Sequence, residues 1–428
     1  MSETLIGFAG LTHLGIISSV AAAAKGYYVI GFHDDVELIS KLNSATLPIQ
    51  EPQLCDLFRG NKERLIFTEN VAELSKCHIV YISIDIPTNE NGESDLAPIK
   101  KIIGQVSNVL KSDACLVILS QVSPGFTRQI AFDHRRLFYQ VETLIFGRAV
   151  ERAMHPERFI VGCDNPSAPL PPHLINFLNM FKCPILQMRY ESAELAKISI
   201  NICLVASISA ANTLAEICEK IGADWSEIVP ALRLDRRIGQ YSYITPGLGI
   251  SGGNLERDLA TVLRISESHG TDADAVSAWL ANSRHRKNWP FKTLERMVLK
   301  ENPGARVTVL GLAYKENTHS TKNSPALVLI EKLTTCTVTV YDPVVPATAA
   351  GNHVIGATSA LEAITGAEAL VIITPWPEFR NLEPAEIKRR MKGRVVIDPY
   401  RMLDAGEVAA SGLDYATLGV PPVVSVPQ

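Results

Sequence analysis

Lys197 and Asn201 stand four residues apart in the run Leu195-Ala-Lys-Ile-Ser-Ile-Asn-Ile-Cys-Leu204, a spacing that puts both on one face of a helix. A Lys and an Asn projecting together can polarise a hydroxyl or carbonyl oxygen, so that its proton leaves as a hydride departs to a nicotinamide. A solvated helix face is the ordinary alternative for such a pair. Against that stands the apolar setting, which offers little polar surface to justify either residue. Near the N-terminus a short apolar run, Leu5-Ile-Gly-Phe-Ala9, meets Gly10-Leu-Thr-His-Leu-Gly15 and then an Ala-rich stretch. A turn between a strand and a helix places backbone N–H groups at the helix N-terminus, where a pyrophosphate can bind. Gly10 and Gly15 take the first and last glycine positions of a dinucleotide fingerprint, with Thr12 in the middle one. After the second strand the run Phe32-His33-Asp34-Asp35 puts His33 in the slot of the ribose-binding acid, or Asp34 if the strand is one residue longer. A plain helix-capping turn is the other reading of this stretch.

Further along, Gly247-Leu-Gly-Ile-Ser-Gly-Gly-Asn-Leu-Glu-Arg-Asp258 can wrap backbone amides around a ligand and closes on a charged Arg257-Asp258 pair; it reads equally as a flexible loop opening a helix. Gly311-Leu-Ala-Tyr-Lys315 follows another strand and can repeat the phosphate-binding turn with a Lys as counter-charge. The basic run Arg284-His-Arg-Lys287 reads as a solvated helical face. No HExxH, P-loop or nucleophile-elbow motif occurs, and no metal site is expected.

The elements that must position these groups follow from periodicity. Strands are expected at Leu5 to Ala9, Tyr27 to Phe32, Ile79 to Ile86 and Cys115 to Leu119, with helices from Ile16 to Lys25 and from about Leu96 to Leu110. Strands alternating with helices argue a parallel, doubly wound sheet. From Glu191 to about Lys220 apolar residues recur at helical spacing with no Pro or Gly inside, which predicts a helix longer than most. Helical pattern continues from Leu255 to about Leu299. The period then changes again: strands are predicted at Val307 to Leu312, Cys336 to Tyr341, Ala369 to Ile373 and Val395 to Ile397, with a helix from Ser324 to Leu333. The fold class is therefore α/β: two Rossmann-like, doubly wound parallel-sheet domains joined by a central all-helical domain with a long spine helix. The expected boundaries are 1–190, 191–300 and 301–428.

A chain of 428 residues is long enough for about three domains. With 41 Lys+Arg against 45 Asp+Glu the formal charge is -4, so no global basic field exists to hold nucleic acid or an acidic membrane. A small ligand is expected. Eight cysteines are scattered singly, without CxxC pairs, which reads as reduced thiols and a cytoplasmic protein. Neither a membrane span nor a signal peptide is expected.

These pieces together resemble the UDP-glucose/GDP-mannose dehydrogenase family over nearly the whole chain. The resemblance rests on motifs met in order: Ile86-Pro-Thr followed by Asn91-Gly-Glu-Ser-Asp-Leu96, Ser120 to Thr127, Ala193-Glu-Leu-Ala-Lys-Ile-Ser-Ile-Asn201, Asp235-Arg-Arg-Ile-Gly239 and Pro246-Gly-Leu-Gly. It continues through Leu310-Gly-Leu-Ala-Tyr-Lys-Glu-Asn-Thr318, Ser324-Pro-Ala, Tyr341-Asp-Pro343 and Trp376-Pro-Glu-Phe379. The resemblance implies an N-terminal NAD-binding domain, a central helical dimerisation domain and a C-terminal UDP-sugar-binding domain, in a cytoplasmic homodimer serving polysaccharide biosynthesis. Family members oxidise a sugar's primary alcohol to a carboxylate with two NAD and a cysteine that holds the aldehyde as a thiohemiacetal.

Lys197, Asn201 and Asp258 match the family's active-site Lys, Asn and Asp, and Glu142 falls on the Glu that helps hydrolyse the thioester. On the cofactor side the resemblance implies Gly10, Thr12, Leu14, Gly15, His33, Asp34, Pro87, Gln121 and Lys322. On the substrate side it implies Arg237, which matches an Arg reaching across the dimer, with Tyr243, Gly247, Gly249 and Lys315. Departures are equally informative. The family's Gly-Gly-Ser-Cys-Phe-Pro-Lys-Asp reads Ser251-Gly-Gly-Asn-Leu-Glu-Arg-Asp258, so Asn254 stands where the catalytic thiol belongs. Gln121 replaces a Thr, Lys322 an Arg, and Gln140-Val-Glu-Thr-Leu an Asn-Pro-Glu-Phe-Leu run.

An amide cannot form the thiohemiacetal on which a second oxidation depends. The expected activity is thus NAD-dependent oxidation of an alcohol of a UDP-sugar, with Glu142 or Asp258 as base. It either ends after two electrons or passes on through a hydrated aldehyde. Oxidation at a secondary hydroxyl needs no thiol and stays open. The alternative is a catalytically silent nucleotide-sugar-binding homologue with a regulatory or assembly role.

Overall fold

The structure is a computed structural model that describes residues 4–87, 89 and 94–425. Thr88 and Asn91 to Glu93 of the sequence motif lie outside them. The chain divides into two compact units, Met1–Ile200 and Asn201–Gln428.

In the first unit the strands are β1 (Leu5–Ala9), β2 (Tyr28–Phe32), β3 (Leu65–Thr68), β4 (Ile79–Ile82), β5 (Cys115–Ile118), β6 (Leu137–Gln140), β7 (Phe159–Cys163) and β8 (Ile185–Arg189). They form one sheet in the order β3-β2-β1-β4-β5-β6-β7-β8. The reversal of strand order beside β1 is the switch point at which α/β sheets bind ligands. The helices are α1 (His13–Ala24), α2 (Val36–Asn43), α3 (Leu54–Gly60), α4 (Ala97–Ser107), α5 (Ala149–Met154) and α6 (Pro172–Asn179). Two apolar layers lie on the two faces of the sheet. Ile6, Phe8 and Val117 pack with Ile16, Val20 and Leu174, whereas Val80, Ile82 and Ile118 pack with Ile99, Ile103 and Ala193. The alternation follows from the two-residue period of strands.

The first sheet differs from the expected pattern in three places. Strand β4 ends at Ile82, not Ile86, because the chain leaves the sheet to pair with Thr12: the Asp85 amide donates to its hydroxyl at 2.9 Å. Strands β3, β6, β7 and β8 are additional to the expected ones and match them in length, at four or five residues. The β6–β7 pair is antiparallel, an exception in an otherwise parallel sheet.

Helix α7 (Tyr190–Ile221) has 32 residues, about 48 Å at 1.5 Å per residue. By length and composition it could cross a membrane, with mean hydropathy 1.6. Its Ala193, Ile198, Val205, Ala211, Ala215 and Cys218 are buried in protein, while Leu195, Leu214, Ile217 and Ile221 are exposed. The second unit continues with α8 (Trp225–Leu234), α9 (Asn254–His269), α10 (Asp274–Lys287) and α11 (Trp289–Leu294). The helical pattern expected from Leu255 to about Leu299 is divided where Gly270, at φ +65°, closes α9 in the left-handed conformation. It is cut again where Pro290 opens α11.

The second sheet joins β9 (Arg306–Leu310), β10 (Thr337–Tyr341), β11 (Ile355–Gly356), β12 (Ala369–Ile372), β13 (Val395–Ile397) and β14 (Asp414–Ala416) in the parallel order β11-β10-β9-β12-β13-β14. Helices α12 (Pro325–Ile330), α13 (Ala360–Ile364), α14 (Pro384–Arg390) and α15 (Ala405–Ala410) accompany it. Ser324 caps α12 by accepting from the Ala326 amide, and Pro325 takes the first helical position.

Candidate active site

In the first unit the turn after β1 is tight for steric reasons. Gly10 has φ +98°, and a Cβ there would lie 3.0 Å from the Ile84 amide nitrogen and 2.0 Å from its side chain. A Cβ on Gly15 would come within 1.9 Å of the Gly10 carbonyl oxygen, so α1 packs against its own turn only with glycine there. Thr12 is the N-cap of α1 but makes no side-chain capping bond. Its hydroxyl instead donates to the Ser83 carbonyl at 3.3 Å and accepts from the Asp85 amide. The Thr12 side chain therefore leaves the N-terminal amides of α1 to other partners, the condition for an anion site there. Leu14 is buried in the core, which leaves its amide, not its side chain, for a ligand.

At the end of β2, His33 Nδ1 accepts from the Asp35 amide at 3.0 Å. Asp34 is exposed and paired with Lys101 at 2.7 Å. That hydrogen bond holds its carboxyl below the usual carboxylate range. Asp35 is committed to capping α2 through the Glu37 and Leu38 amides. Pro87 is exposed and its carbonyl accepts from Asp95.

Gln121 lies in the loop after β5, which α7 fixes: Glu194, fully buried, accepts from the Gly125 amide at 2.6 Å and the Thr127 amide at 2.8 Å. Burial raises the Glu194 pKa. One turn further on, Lys197 Nζ donates to the Glu142 carbonyl at 2.9 Å and meets its carboxylate at 3.3 Å. Glu142 Oε1 also accepts from the Leu144 amide. The structure thus joins two residues that are 55 apart in sequence, and both are mostly withdrawn from solvent.

In the second unit Asn201 Nδ2 donates to Asp258 Oδ2 at 2.5 Å. Asp258 is 1% exposed, and Arg257 Nε lies 3.4 Å from its other oxygen. A hydrogen bond to a buried carboxylate contributes about 2 kcal/mol. Asn254 is the exposed first residue of α9, one turn before Asp258 and on the same face. The preceding loop is pinned by the Gly252 amide on the Lys322 carbonyl at 3.0 Å and by Asn323 on the Gly252 carbonyl at 2.9 Å. Lys322 runs beside Gly253, where a Cβ would meet its side chain at 3.2 Å. The Gly247 amide donates to buried Asn212 at 2.8 Å, and Gly249, at φ +82°, has room for no side chain beside the Ser283 carbonyl. Lys315 Nζ stands 5.8 Å from the Tyr314 ring centroid. Arg237 and Tyr243 are exposed, Arg237 held by Asp235 at 2.7 Å. Among the described residues no group of three His, Cys, Asp or Glu side chains is placed to hold a metal ion.

The chain matches the UDP-glucose/GDP-mannose dehydrogenase family in three domains, the NAD binding domain over residues 4–173, the central domain over 191–284 and the UDP binding domain over 308–405. The protein belongs to that family. The UDP-glucose 6-dehydrogenase TuaD of Bacillus subtilis is 31% identical over 98% of this chain and 94% of its own. A UDP-glucose dehydrogenase from the archaeon Pyrobaculum islandicum shares the architecture with a TM-score of 0.80 at 25% identity, covering 92% of this chain and 94% of that one. The UDP-D-ManNAc dehydrogenase of Pyrococcus horikoshii superposes with a TM-score of 0.83 at 24% identity, over 97% and 99% of the two chains, a likeness of fold. As a member of this dehydrogenase family the chain is an oxidoreductase that carries the family's NAD-binding domain. The first unit fits that cofactor at the turn, where Gly10, Gly15 and the uncapped amides of α1 are kept. At the ribose corner only Asp34 offers a carboxylate without helix-capping duties.

Sequence reasoning did not single out Glu194, Glu51 or Asp342, three acids whose oxygens accept from backbone amides. Glu194 sits inside the quoted helix motif between Glu191 and Lys197 at helical spacing, and no local pattern sets its buried place apart from theirs. Glu51 and Asp342 precede prolines and look like ordinary loop acids.

Proposed function

We propose that the protein oxidises one alcohol of a UDP-sugar to a carbonyl, with NAD as hydride acceptor, and stops after two electrons. The observation that carries this is the head of α9, where Asn254 presents an amide one turn from the Asn201–Asp258 hydrogen bond. An amide is no nucleophile toward an aldehyde, so the carbonyl leaves without being held covalently. The Lys197 ammonium, aimed by Glu142, and Asn201, aimed by Asp258, polarise the substrate oxygen. As the C–H bond breaks with its electron pair, the O–H proton passes through water to Glu142 or Asp258, and C=O forms. NAD, when bound, supplies the acceptor of that electron pair. One NADH and one proton appear per sugar.

In this reading Gly10, Gly15, the Leu14 amide, His33, Asp34, Pro87, Gln121 and Lys322 serve the cofactor, while Gly247, Gly249, Lys315, Tyr243 and Arg237 serve the UDP-sugar. Residues 1–190, 191–300 and 301–428 form the NAD-binding, helical and UDP-sugar-binding domains of a cytoplasmic homodimer. Leu214, Ile217 and Ile221, exposed along one side of α7, support a second copy there.

The test is to incubate purified protein with NAD and a panel of UDP- and GDP-sugars, then measure NADH against sugar consumed and weigh the product. One NADH per sugar and a product lighter by one hydrogen molecule is expected. Two NADH and a carboxylate overturn the two-electron stop. Binding of a UDP-sugar by calorimetry with no NADH from any substrate replaces the proposal with the silent reading. Asn254→Cys is expected to add the second oxidation, raising the ratio toward two NADH per sugar.

A further inference from the structure

Glu51 lies between α2 and α3 and belongs to none of the groups above. Its side chain is 1% exposed. Oε1 accepts from His13 Nε2 at 2.9 Å and from the Gly147 amide at 3.0 Å, and Oε2 accepts from the Ala149 amide at 3.2 Å. A carboxylate so withdrawn from water is costly unless its lone pairs are filled, and here three N–H donors fill them. Those donors come from two places that the sequence keeps far apart. His13 is the first residue of α1, beside Thr12 in the cofactor turn. Gly147 and Ala149 close the loop that opens with Glu142. The Phe146 ring lies against the His13 ring, centroids 4.3 Å apart, so the loop meets the turn through an apolar contact as well as through the acid.

We propose that Glu51, acting through His13, is a positioning residue that couples the cofactor turn to the 141–148 loop, so that a dinucleotide at the N-terminus of α1 fixes where Glu142 stands. The proposal deepens the reading of the NAD turn and of Glu142 given above and rests on it. Glu51 touches no reacting atom. Its oxygens keep the His13 ring turned inward and the Gly147–Ala149 backbone drawn toward α1. A ligand that stills the turn thereby stills the loop. Glu142 has a separate tie, to Lys197, so releasing Glu51 loosens the loop at one end while leaving that ion pair in place.

The experiment uses the full chain with Glu51→Gln, His13→Phe and His13→Gln, and reads amide hydrogen exchange over residues 143–149 with and without NADH, together with steady-state kinetics. In the parent protein NADH is expected to slow exchange over that loop. In Glu51→Gln and His13→Phe the slowing is lost, kcat falls about tenfold, and KM for the sugar changes less than twofold. His13→Gln keeps a side-chain donor and is expected to restore much of both. Glu51→Gln is close in shape, and His13→Phe leaves Glu51 its two backbone donors, so a failure of one variant to fold leaves the other to decide. Equal slowing by NADH in parent and variants overturns the proposal, as does a parent loop that NADH does not slow. A uniform loss of thermal stability, with kcat and both KM values scaled together, also overturns it by making Glu51 merely structural. Exchange is read with NADH alone, so a parent that shows the slowing yet reduces NAD with no sugar leaves the coupling standing while the proposed reaction falls.

Discussion

The turns after β1 and β9 are built alike and end differently. In each, a glycine at positive φ follows the first strand, +98° for Gly10 and +91° for Gly311. Each donates its amide to the last residue of the neighbouring strand, Phe32 at 2.9 Å and Tyr341 at 2.8 Å. Each would strike the residue beyond a third strand if it carried a side chain, Ile84 in one case and Thr374 in the other. From there they part. Helix α1 starts at His13, so its uncapped amides face the turn directly, whereas α12 begins only at Pro325 under a Ser324 cap. The acid after the second strand differs too. Asp34 is exposed and held by one lysine, but Asp342 is saturated by the chain itself. It accepts from the Leu312, Ala313, Val344 and Val345 amides and from the Trp376 indole, at 2.7 to 3.0 Å. The turn glycine thus answers a demand of strand crossing that any such sheet makes. In the function proposed above, what selects a dinucleotide is whether the helix amides and the acid are left within a ligand's reach, and of these two turns the first has uncapped helix amides and an exposed acid.

Three measurements break or sharpen this contrast. Gly15→Ala is expected to have the largest effect, because its methyl would meet a backbone oxygen at 1.9 Å. A loss of about 4 kcal/mol in stability, or no soluble protein, should follow; a folded variant that binds NADH normally would show the first turn to be looser than described. Asp342→Ala strands five N–H donors and should cost about 3 kcal/mol by urea denaturation. NADH affinity should survive in that variant while UDP affinity is lost, and the reverse pattern would mean that the two turns have exchanged roles. His33→Asp restores a ribose-binding acid and should tighten NADH about tenfold in a fluorescence titration, or about 1.4 kcal/mol, while weakening NADPH. No change would show that Asp34 already performs that task.

Much of this architecture was legible in the residues. Strand β1 was placed to the residue, since an apolar run is cut by a glycine that the topology requires. Helix α7 was read to within one residue at each end because a 3.6-residue period ran on with no Pro or Gly to stop it. The strands β3, β6, β7 and β8 were not placed, although they are no shorter than β4 and β5, and the antiparallel entry of β7 depends on the path of a connection. In the site, Lys197, Asn201 and Asp258 could be named from motif and spacing. That Lys197 is held by Glu142, and Asn201 by Asp258, comes from pairings across 55 and 57 residues that no local pattern encodes. Glu51 was invisible for the same reason: its three donors lie at positions 13, 147 and 149, and a glutamate before a proline looks like a solvated turn.

The amide at the head of α9 also bears on which surroundings the enzyme tolerates. Peroxide attacks thiolates first and carries them toward sulfinic acids that are not readily recovered. All eight cysteines of this chain are unpaired thiols, and burial pushes Cys77 up to about 12 and Cys115 up to about 11, where almost no thiolate forms. Cys203 is exposed on α7 two residues past Asn201, a spacing at which helix side chains do not face each other. The reaction proposed above, run on an ammonium, two carboxylates and two amides, has no sulfur at its centre to lose, and such a reaction is suited to persist under oxidation where a thiol-dependent one would stall.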